Sequence, residues 1–123
     1  MILNNKIKLF LVFFALFLSG HFMNGQFTSS DDPYYHAKHA LLIEQSGNLT
    51  LVKPWLEFHF LNYAPTDPWW GFHLGMALFI HWFGLFLGVK IFASFLAALV
   101  FLVFYLILCK LKISFIRFLF MSR

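Results

Sequence analysis

Three long apolar runs, separated by polar segments, divide the chain. They cover residues 9–18 (continuing more weakly to 23), 69–86 and 89–109. At a rise of 1.5 Å per residue, the last two would be roughly 27 and 31 Å long, which matches a hydrocarbon core about 30 Å thick. Because backbone groups in lipid must be hydrogen-bonded within their own segment, we expect all three runs to be helices.

This pattern predicts an all-α membrane protein with about three transmembrane helices and short interfacial helices in the first external loop. The expected segments are a first transmembrane helix acting as a signal anchor (1–25), an external loop with an acidic motif (26–68), a second (69–88) and a third (89–109) transmembrane helix, and a basic and apolar tail (110–123). A basic start before a short apolar run is also typical of a cleaved signal peptide, so that alternative stays open.

The composition supports a membrane location. Of the 123 residues, 61% are apolar and only 11% are charged, whereas a soluble domain carries about a quarter charged residues. The net charge is +4, but the basic residues flank the apolar runs instead of clustering on a polar face, so we expect no nucleic-acid partner. The single cysteine, Cys109, excludes an internal disulfide framework.

The charges also predict an orientation. Lys6 and Lys8 precede the first run, which favours a multi-pass protein of the plasma (inner) membrane with a cytoplasmic N-terminus. With three spans Lys90 is cytoplasmic, but the basic tail 110–123 lies outside, against the positive-inside rule. The tail could dip back into the membrane, segment 69–109 could fail to cross twice, or later spans of a longer protein could set the topology, and we favour the last explanation.

The external segment carries a compact group of polar side chains at a predicted helix start. The Asp-Pro pair at 32–33 is typical of an N-cap followed by proline at the first helical position. Gly47 is a natural stop after residue 46. On such a helix Asp32 and His36 share a face, because they are four residues apart.

These side chains have the chemistry of a divalent metal site or a phosphate site. Carboxylates bind Mg²⁺ and Mn²⁺, and such ions commonly bridge to substrate phosphates. Tyr35 and His39 share a second face of the helix. The alternative is that Asp32 only caps the helix while the histidines face water. His73 and His81, in or near the second run, are either functional or structural.

The motif Asp-Pro-Tyr-Tyr-His-x-Lys at 32–38, the later Lys-Pro-Trp at 53–55, and Pro-x-x-x-Trp-Trp at 65–70 together resemble the N-terminal part of GT-C superfamily membrane glycosyltransferases. The likeness is strongest to the oligosaccharyltransferase catalytic-subunit group and covers about residues 7–112. The Asp-Pro-Tyr-Tyr-His core is the distinctive part, whereas the apolar stretches are not specific.

The resemblance implies roles for individual residues. In that superfamily the first-loop Asp helps to bind a divalent metal and the phosphate of a polyprenyl-linked sugar donor, or acts as the base toward the acceptor. This implies a metal-binding and catalytic role for Asp32, with Asp31 as the alternative. Tyr35, His36 and Lys38 match the flanking positions that would contact the donor. Lys38 stands where Arg is usual, which keeps the charge but loses the bidentate fork.

The chain lacks the many spans, the second acidic motif and the large C-terminal domain of such enzymes. We therefore expect an N-terminal fragment or split portion of a polyprenyl-phosphate-sugar-dependent glycosyltransferase, inactive alone and holding Mg²⁺ or Mn²⁺ only in the complete enzyme. The expected partners are the lipid bilayer, the polyprenyl-phosphate-linked sugar, and a missing C-terminal half or other membrane subunits. The alternatives are a small non-enzymatic membrane accessory protein and a metal-binding or transport component that uses His36, His39, His73 and His81.

Overall fold

The computed structural model describes residues 2–23, 25, 32–48 and 67–111, and these form four α-helices without a strand. The helices are α1 (Ile2–Met23), α2 (Asp32–Ser46), α3 (Trp70–Phe83) and α4 (Leu85–Lys110). The predicted all-α class is confirmed for this part of the chain. The chain divides into two compact units, one of residues 1–20 with 94–123 and the other of residues 21–93.

Two of the described helices are long and apolar enough to cross a membrane, namely Asn5–Met23 in α1 and Leu85–Lys110 in α4. Helix α3 has 14 residues, which gives about 21 Å, whereas a crossing helix needs about 20 residues. It ends because Gly84 adopts a left-handed φ of 75°. The prediction of three spans is therefore not confirmed by the described residues.

The first unit is a pair of apolar helices. Phe13 and Phe17 of α1 pack on Phe101 of α4, with ring centroids 5.6 and 5.0 Å apart. Large apolar side chains such as Leu16 and Val100 are exposed, as expected for helices that face lipid. The first turns of α1 lie beside the last turns of α4, because both contribute to one cleft, lined by Asn5, Lys6, Leu9, Tyr105, Leu106 and Cys109.

In the second unit, α2 has the limits that the sequence predicts. It starts at the Asp-Pro pair, ends at Ser46, and is followed by Gly47 with a φ of 63°. Its buried side chains contact α3 and recur every three or four residues, as in an amphipathic helix. The buried residues are Ala37, His39, Ala40 and Ile43 in α2, and His73, Met76, Ala77 and Ile80 in α3. Each apolar face thus contains one histidine.

The start of α4 folds back on α3. A Cβ at Gly88 would lie 2.6 Å from the carbonyl oxygen of Phe79 and 2.7 Å from the backbone nitrogen of Ile80, so only glycine fits there. Further along α4, Phe92 contacts Phe72 and Phe79, with ring centroids 5.3 and 5.4 Å apart. These contacts hold α3, and with it the histidine in its first turns, against the first two turns of α4.

A second contact ties the start of α4 to the residues at the end of α1. The ammonium group of Lys90 donates a hydrogen bond of 2.5 Å to the carbonyl oxygen of Gly25. The same group lies 5.5 Å from the ring centroid of Phe22, within the range of a cation–π interaction. Lys90 therefore lies next to the place where the chain leaves α1.

We predict that Gly88→Ala lowers the stability of the protein by about 1–3 kcal/mol, because the added methyl group overlaps the backbone of α3. Gly71→Ala is the matched control, since a Cβ there has no neighbour within 4 Å. Unfolding by sodium dodecyl sulfate in mixed micelles, followed by circular dichroism, measures both variants. Equal stability of the two variants would contradict the close approach of α4 to α3.

Candidate functional site

Polar side chains from two helices meet where α2 contacts the start of α3. Helix α2 contributes His36 and His39, which lie three residues apart and so project from neighbouring positions of one side. Helix α3 contributes His73. Asp67, which directly precedes the turn into α3, completes the group. The meeting of the two helices thus brings together residues that are far apart in the sequence.

Asp67 is held by the turn that starts α3. Its Oδ1 accepts a hydrogen bond of 2.9 Å from the backbone amide of Trp69, and its backbone carbonyl accepts one of 3.2 Å from the amide of Trp70. A side-chain bond to the amide two residues later is the usual turn of Asp, and Pro68 favours a helix start at this place. The second carboxylate oxygen, Oδ2, faces the histidines. The Asp67 side chain is buried, with only 3% exposed.

A continuous series of close polar contacts links Asp67 to the surface of α2. Oδ2 of Asp67 lies 2.6 Å from Nδ1 of His73. Nε2 of His73 lies 2.7 Å from Nδ1 of His36. Nε2 of His36 lies 3.7 Å from Oδ2 of Asp32, whose side chain is 81% exposed. The series runs from a buried carboxylate through two imidazoles to an exposed carboxylate, and we call these four residues the Asp–His chain.

Aromatic rings surround the Asp–His chain. The ring of His39 stacks on that of His73, with centroids 4.3 Å apart and an interplanar angle of 11°, and its Nε2 lies 3.6 Å from Oδ2 of Asp67. Tyr35 lies edge-on to three imidazoles, at centroid distances of 5.2–6.0 Å. Two further rings contact His36, those of Trp69 and Phe72. The rings shield the imidazoles from water.

Burial sets the protonation of these side chains. It lowers the pKa of His73 below the ordinary 6.5, although the hydrogen bond to Asp67 and its charge act in the opposite direction. Burial likewise lowers the pKa of His36, against the charges of Asp32 and Asp67. Both rings are therefore neutral at pH 7, each with one N–H group and one lone pair. Burial also raises the pKa of the Tyr35 phenol, which stays protonated.

Two groups of atoms have the chemistry of metal ligands. Asp67, His39 and His73 offer ligand atoms within 4.8 Å of one another. However, the 2.6 Å between Asp67 and His73 is a hydrogen-bond distance, whereas two ligands about 2.1 Å from one ion are about 3.0–3.4 Å apart. Asp32 and His36, at 3.7 Å, come into that range by a small rotation of the exposed carboxylate. The exposed pair is therefore the better placed for an ion.

The structure brings together some of the residues that the sequence singles out and separates others. Asp32 and His36 face each other, and Tyr35 lies against the imidazoles. Lys38 is exposed and, two residues after His36, lies on a different side of α2. Asp31 lies outside the described residues. The sequence pattern thus identifies the outer half of the Asp–His chain.

The inner half of the Asp–His chain, Asp67 and His73, is harder to find from the sequence. The sequence pattern does not single out Asp67, and it leaves His73 with either a functional or a structural role. The signal that could have found them is the second Asp-Pro pair at 67–68, which repeats the pair at 32–33 and is again followed by a histidine within two turns.

The Asp–His chain has to be interpreted from its own geometry. No protein-family model, curated protein or solved structure matches this sequence. The chemistry of the side chains nevertheless limits what they can do. A neutral imidazole with one nitrogen hydrogen-bonded inside the protein can use the other nitrogen as a base or as a metal ligand. In His36 that second nitrogen is the one next to Asp32.

A second histidine–carboxylate pair joins the same helices at another place. Nδ1 of His81, in the last turn of α3, lies 3.0 Å from Oε1 of Glu44 in α2. The His81 side chain is 66% exposed, so the pair contributes at most about 1 kcal/mol to stability. It contains the same two chemical groups as Asp32 and His36, and therefore provides a matched control for substitutions in the Asp–His chain.

We predict that acid destabilises the α2–α3 pair. Because burial lowers the pKa values of His36 and His73 in the folded protein, only the unfolded chain takes up these protons near pH 6.5. The free energy of unfolding should fall as the pH decreases through about 6.5, and level off below the folded-state pKa values. Thermal unfolding followed by circular dichroism between about pH 7.5 and 5.5 measures the slope.

The control for this prediction replaces histidine by glutamine, which does not titrate. His73→Gln should reduce the dependence of stability on pH, because one of the two buried imidazoles is gone. A slope in His73→Gln equal to that of the unmodified protein would show that His73 is not buried in its neutral form.

Proposed function

We propose that this chain is a membrane component of a glycosyltransferase that uses a polyprenyl-phosphate-linked sugar, and that Asp32 and His36 bind the divalent cation that contacts the donor phosphate. The observation that carries the proposal is the 3.7 Å approach of the Asp32 carboxylate to Nε2 of His36 at the exposed start of α2. The resemblance of the Asp-Pro-Tyr-Tyr-His motif to the first external loop of GT-C enzymes supports the choice of substrate class.

A cation held by one carboxylate and one imidazole keeps most of its coordination positions open. Mg²⁺ commonly binds to proteins through one or two carboxylates and completes its shell with water and substrate phosphates. Mn²⁺ accepts the same oxygen ligands and, as a transition metal, also an imidazole nitrogen, so it fits this pair better than Mg²⁺. When bound, such a cation neutralises the charge that develops on a leaving phosphate. Asp32 and His36 would hold it, and the protonated phenol of Tyr35 lies beside the same imidazoles.

One helix start supplies only a part of such a site. A leaving phosphate is stabilised by several donors that converge on it. In the proposed enzyme the further donors come from other membrane segments or subunits, and transfer of the sugar requires both parts. If the chain binds neither a cation nor a donor lipid, the non-enzymatic accessory role is the better description.

We also propose that both ends of the chain are cytoplasmic and that α1 and α4 are the two spans. The cleft shared by the first turns of α1 and the last turns of α4 supports this, because it puts Lys6 and Cys109 beside each other. At the opposite end of α1, Lys90 bonds to Gly25. With two spans the basic tail 110–123 is on the same side as Lys6, which satisfies the positive-inside rule.

We predict that the two-span arrangement appears in reporter fusions. Green fluorescent protein fused after residue 123 should fluoresce, because it would remain in the cytoplasm. Alkaline phosphatase inserted at Gly47, in the segment between the spans, should be active because it would be exported. Active phosphatase fused after residue 123 would instead support a third span and an external tail.

We predict that the full chain in detergent binds Mn²⁺ and that Asp32→Asn weakens binding by at least about tenfold, which corresponds to about 1.4 kcal/mol. Glu44→Gln, the control in the exposed pair with His81, should change the affinity by less than about twofold. Electron paramagnetic resonance of free and bound Mn²⁺ gives the affinities. Equal affinities for the unmodified protein and Asp32→Asn would remove Asp32 from the cation site.

A short-chain prenyl phosphate tests the substrate class separately. If the cation bridges to the donor phosphate, the lipid should tighten Mn²⁺ binding in the unmodified protein and not in Asp32→Asn. Tight Mn²⁺ binding that is indifferent to the lipid would support the metal-binding alternative instead.

A further inference from the structure

We propose that Asp67 and His73 are positioning residues that fix the tautomer and ring orientation of His36, so that the Nε2 lone pair of His36 is presented next to Asp32. The proposal deepens the function proposed above and rests on it in one respect, namely that the lone pair serves to bind a cation. The tautomer itself follows from the hydrogen-bond geometry of two neutral rings and does not depend on a cation. It can therefore be measured whether or not a cation binds.

The first step is the orientation of the Asp67 carboxylate. Its Oδ1 accepts the hydrogen bond from the Trp69 amide, and its Oδ2 lies 2.6 Å from Nδ1 of His73. An ionised carboxylate has only acceptors. The proton between Oδ2 and Nδ1 must therefore belong to His73, which donates it to Asp67.

The second step passes this constraint to His36. Because the His73 ring is neutral and carries its proton on Nδ1, its Nε2 has a lone pair. That Nε2 lies 2.7 Å from Nδ1 of His36, a distance that requires a proton between the two nitrogens. Nδ1 of His36 therefore donates to His73. The remaining nitrogen of His36, Nε2, is left with a lone pair.

The third step concerns the exposed end. The Nε2 lone pair of His36 and the carboxylate of Asp32 are two acceptors 3.7 Å apart. They repel each other unless a cation or a bridging proton donor lies between them. In the opposite tautomer, an N–H group on Nε2 would donate toward Asp32 and close the pair without a cation. Asp67 thus selects the state that is open to a metal ion, as outer carboxylates do for metal-binding histidines.

A single isosteric substitution, Asp67→Asn, reverses the whole series. The Trp69 amide needs an acceptor, so the introduced carbonyl oxygen takes the place of Oδ1 and the introduced NH₂ group takes the place of Oδ2. That NH₂ group donates to Nδ1 of His73, whose proton then moves to Nε2. His73 now donates to Nδ1 of His36, and the proton of His36 moves to Nε2. No ring gains or loses a net proton.

The test is the tautomer of His36 at neutral pH, measured on the full chain in detergent micelles with ¹⁵N-labelled histidine. Long-range ¹H–¹⁵N correlation spectra distinguish the protonated nitrogen from the bare one, and His36→Gln identifies the signals. We expect His36 to carry its proton on Nδ1 in the unmodified protein and in Glu44→Gln, and on Nε2 in Asp67→Asn. A proton on Nε2 in the unmodified protein, or an unchanged tautomer in Asp67→Asn, overturns the proposal.

Two further measurements keep the outcomes separate. Circular dichroism reports whether Asp67→Asn folds, and if it does not, the spectrum of the unmodified protein alone decides. Mn²⁺ affinity should fall by about 10–100-fold in Asp67→Asn, the usual effect of losing an outer partner of a metal-binding histidine. Mn²⁺ binding with the wrong tautomer rejects the positioning role. The expected tautomer without Mn²⁺ binding rejects the proposed function and leaves the positioning role intact.

Discussion

The polar part of the contact between α2 and α3 is organised by one hydrogen bond, between the buried carboxylate of Asp67 and the buried imidazole of His73. The two side chains are 3% and 0% exposed. Removing one partner of a buried polar pair leaves the other unpaired away from water, which typically costs several kcal/mol. The Trp69 amide binds the other carboxylate oxygen. The start of α3 and the polar contents of the interface are therefore stabilised by the same side chain.

This bond also allows the Asp67 carboxylate to be buried in a chain that is mostly apolar. With 11% charged residues, the protein has few groups that can compensate a buried charge. Asp67 is compensated locally, by the adjacent turn and by a helix that the turn itself begins. The Asp67 carboxylate can therefore be buried with partners from its own turn and from neighbouring histidines. The outer end of the Asp–His chain stays open to solvent at Asp32.

The elements that sequence analysis predicts well are those with local causes. Helix α2 has its predicted limits because the Asp-Pro start and the Gly47 stop act within a few residues. The limits of α3 depend on which glycine turns the chain, and the left-handed backbone is at Gly84, a choice that composition does not reveal. Asp32 and His36 are brought together by helical spacing, whereas His36 and His73 are 37 residues apart and meet only through tertiary packing.

The backbone contact at Gly88 has a consequence for how this site can change. Sliding α3 along α4 by one residue, about 1.5 Å, would push a neighbouring side chain of α4 into the backbone of Phe79 and Ile80. The position of α3 along the axis of α4 is thus fixed, and so is the position of His73 along that axis. Asp32, exposed on α2, is the member of the Asp–His chain that can be exchanged with least effect on the packing of α3.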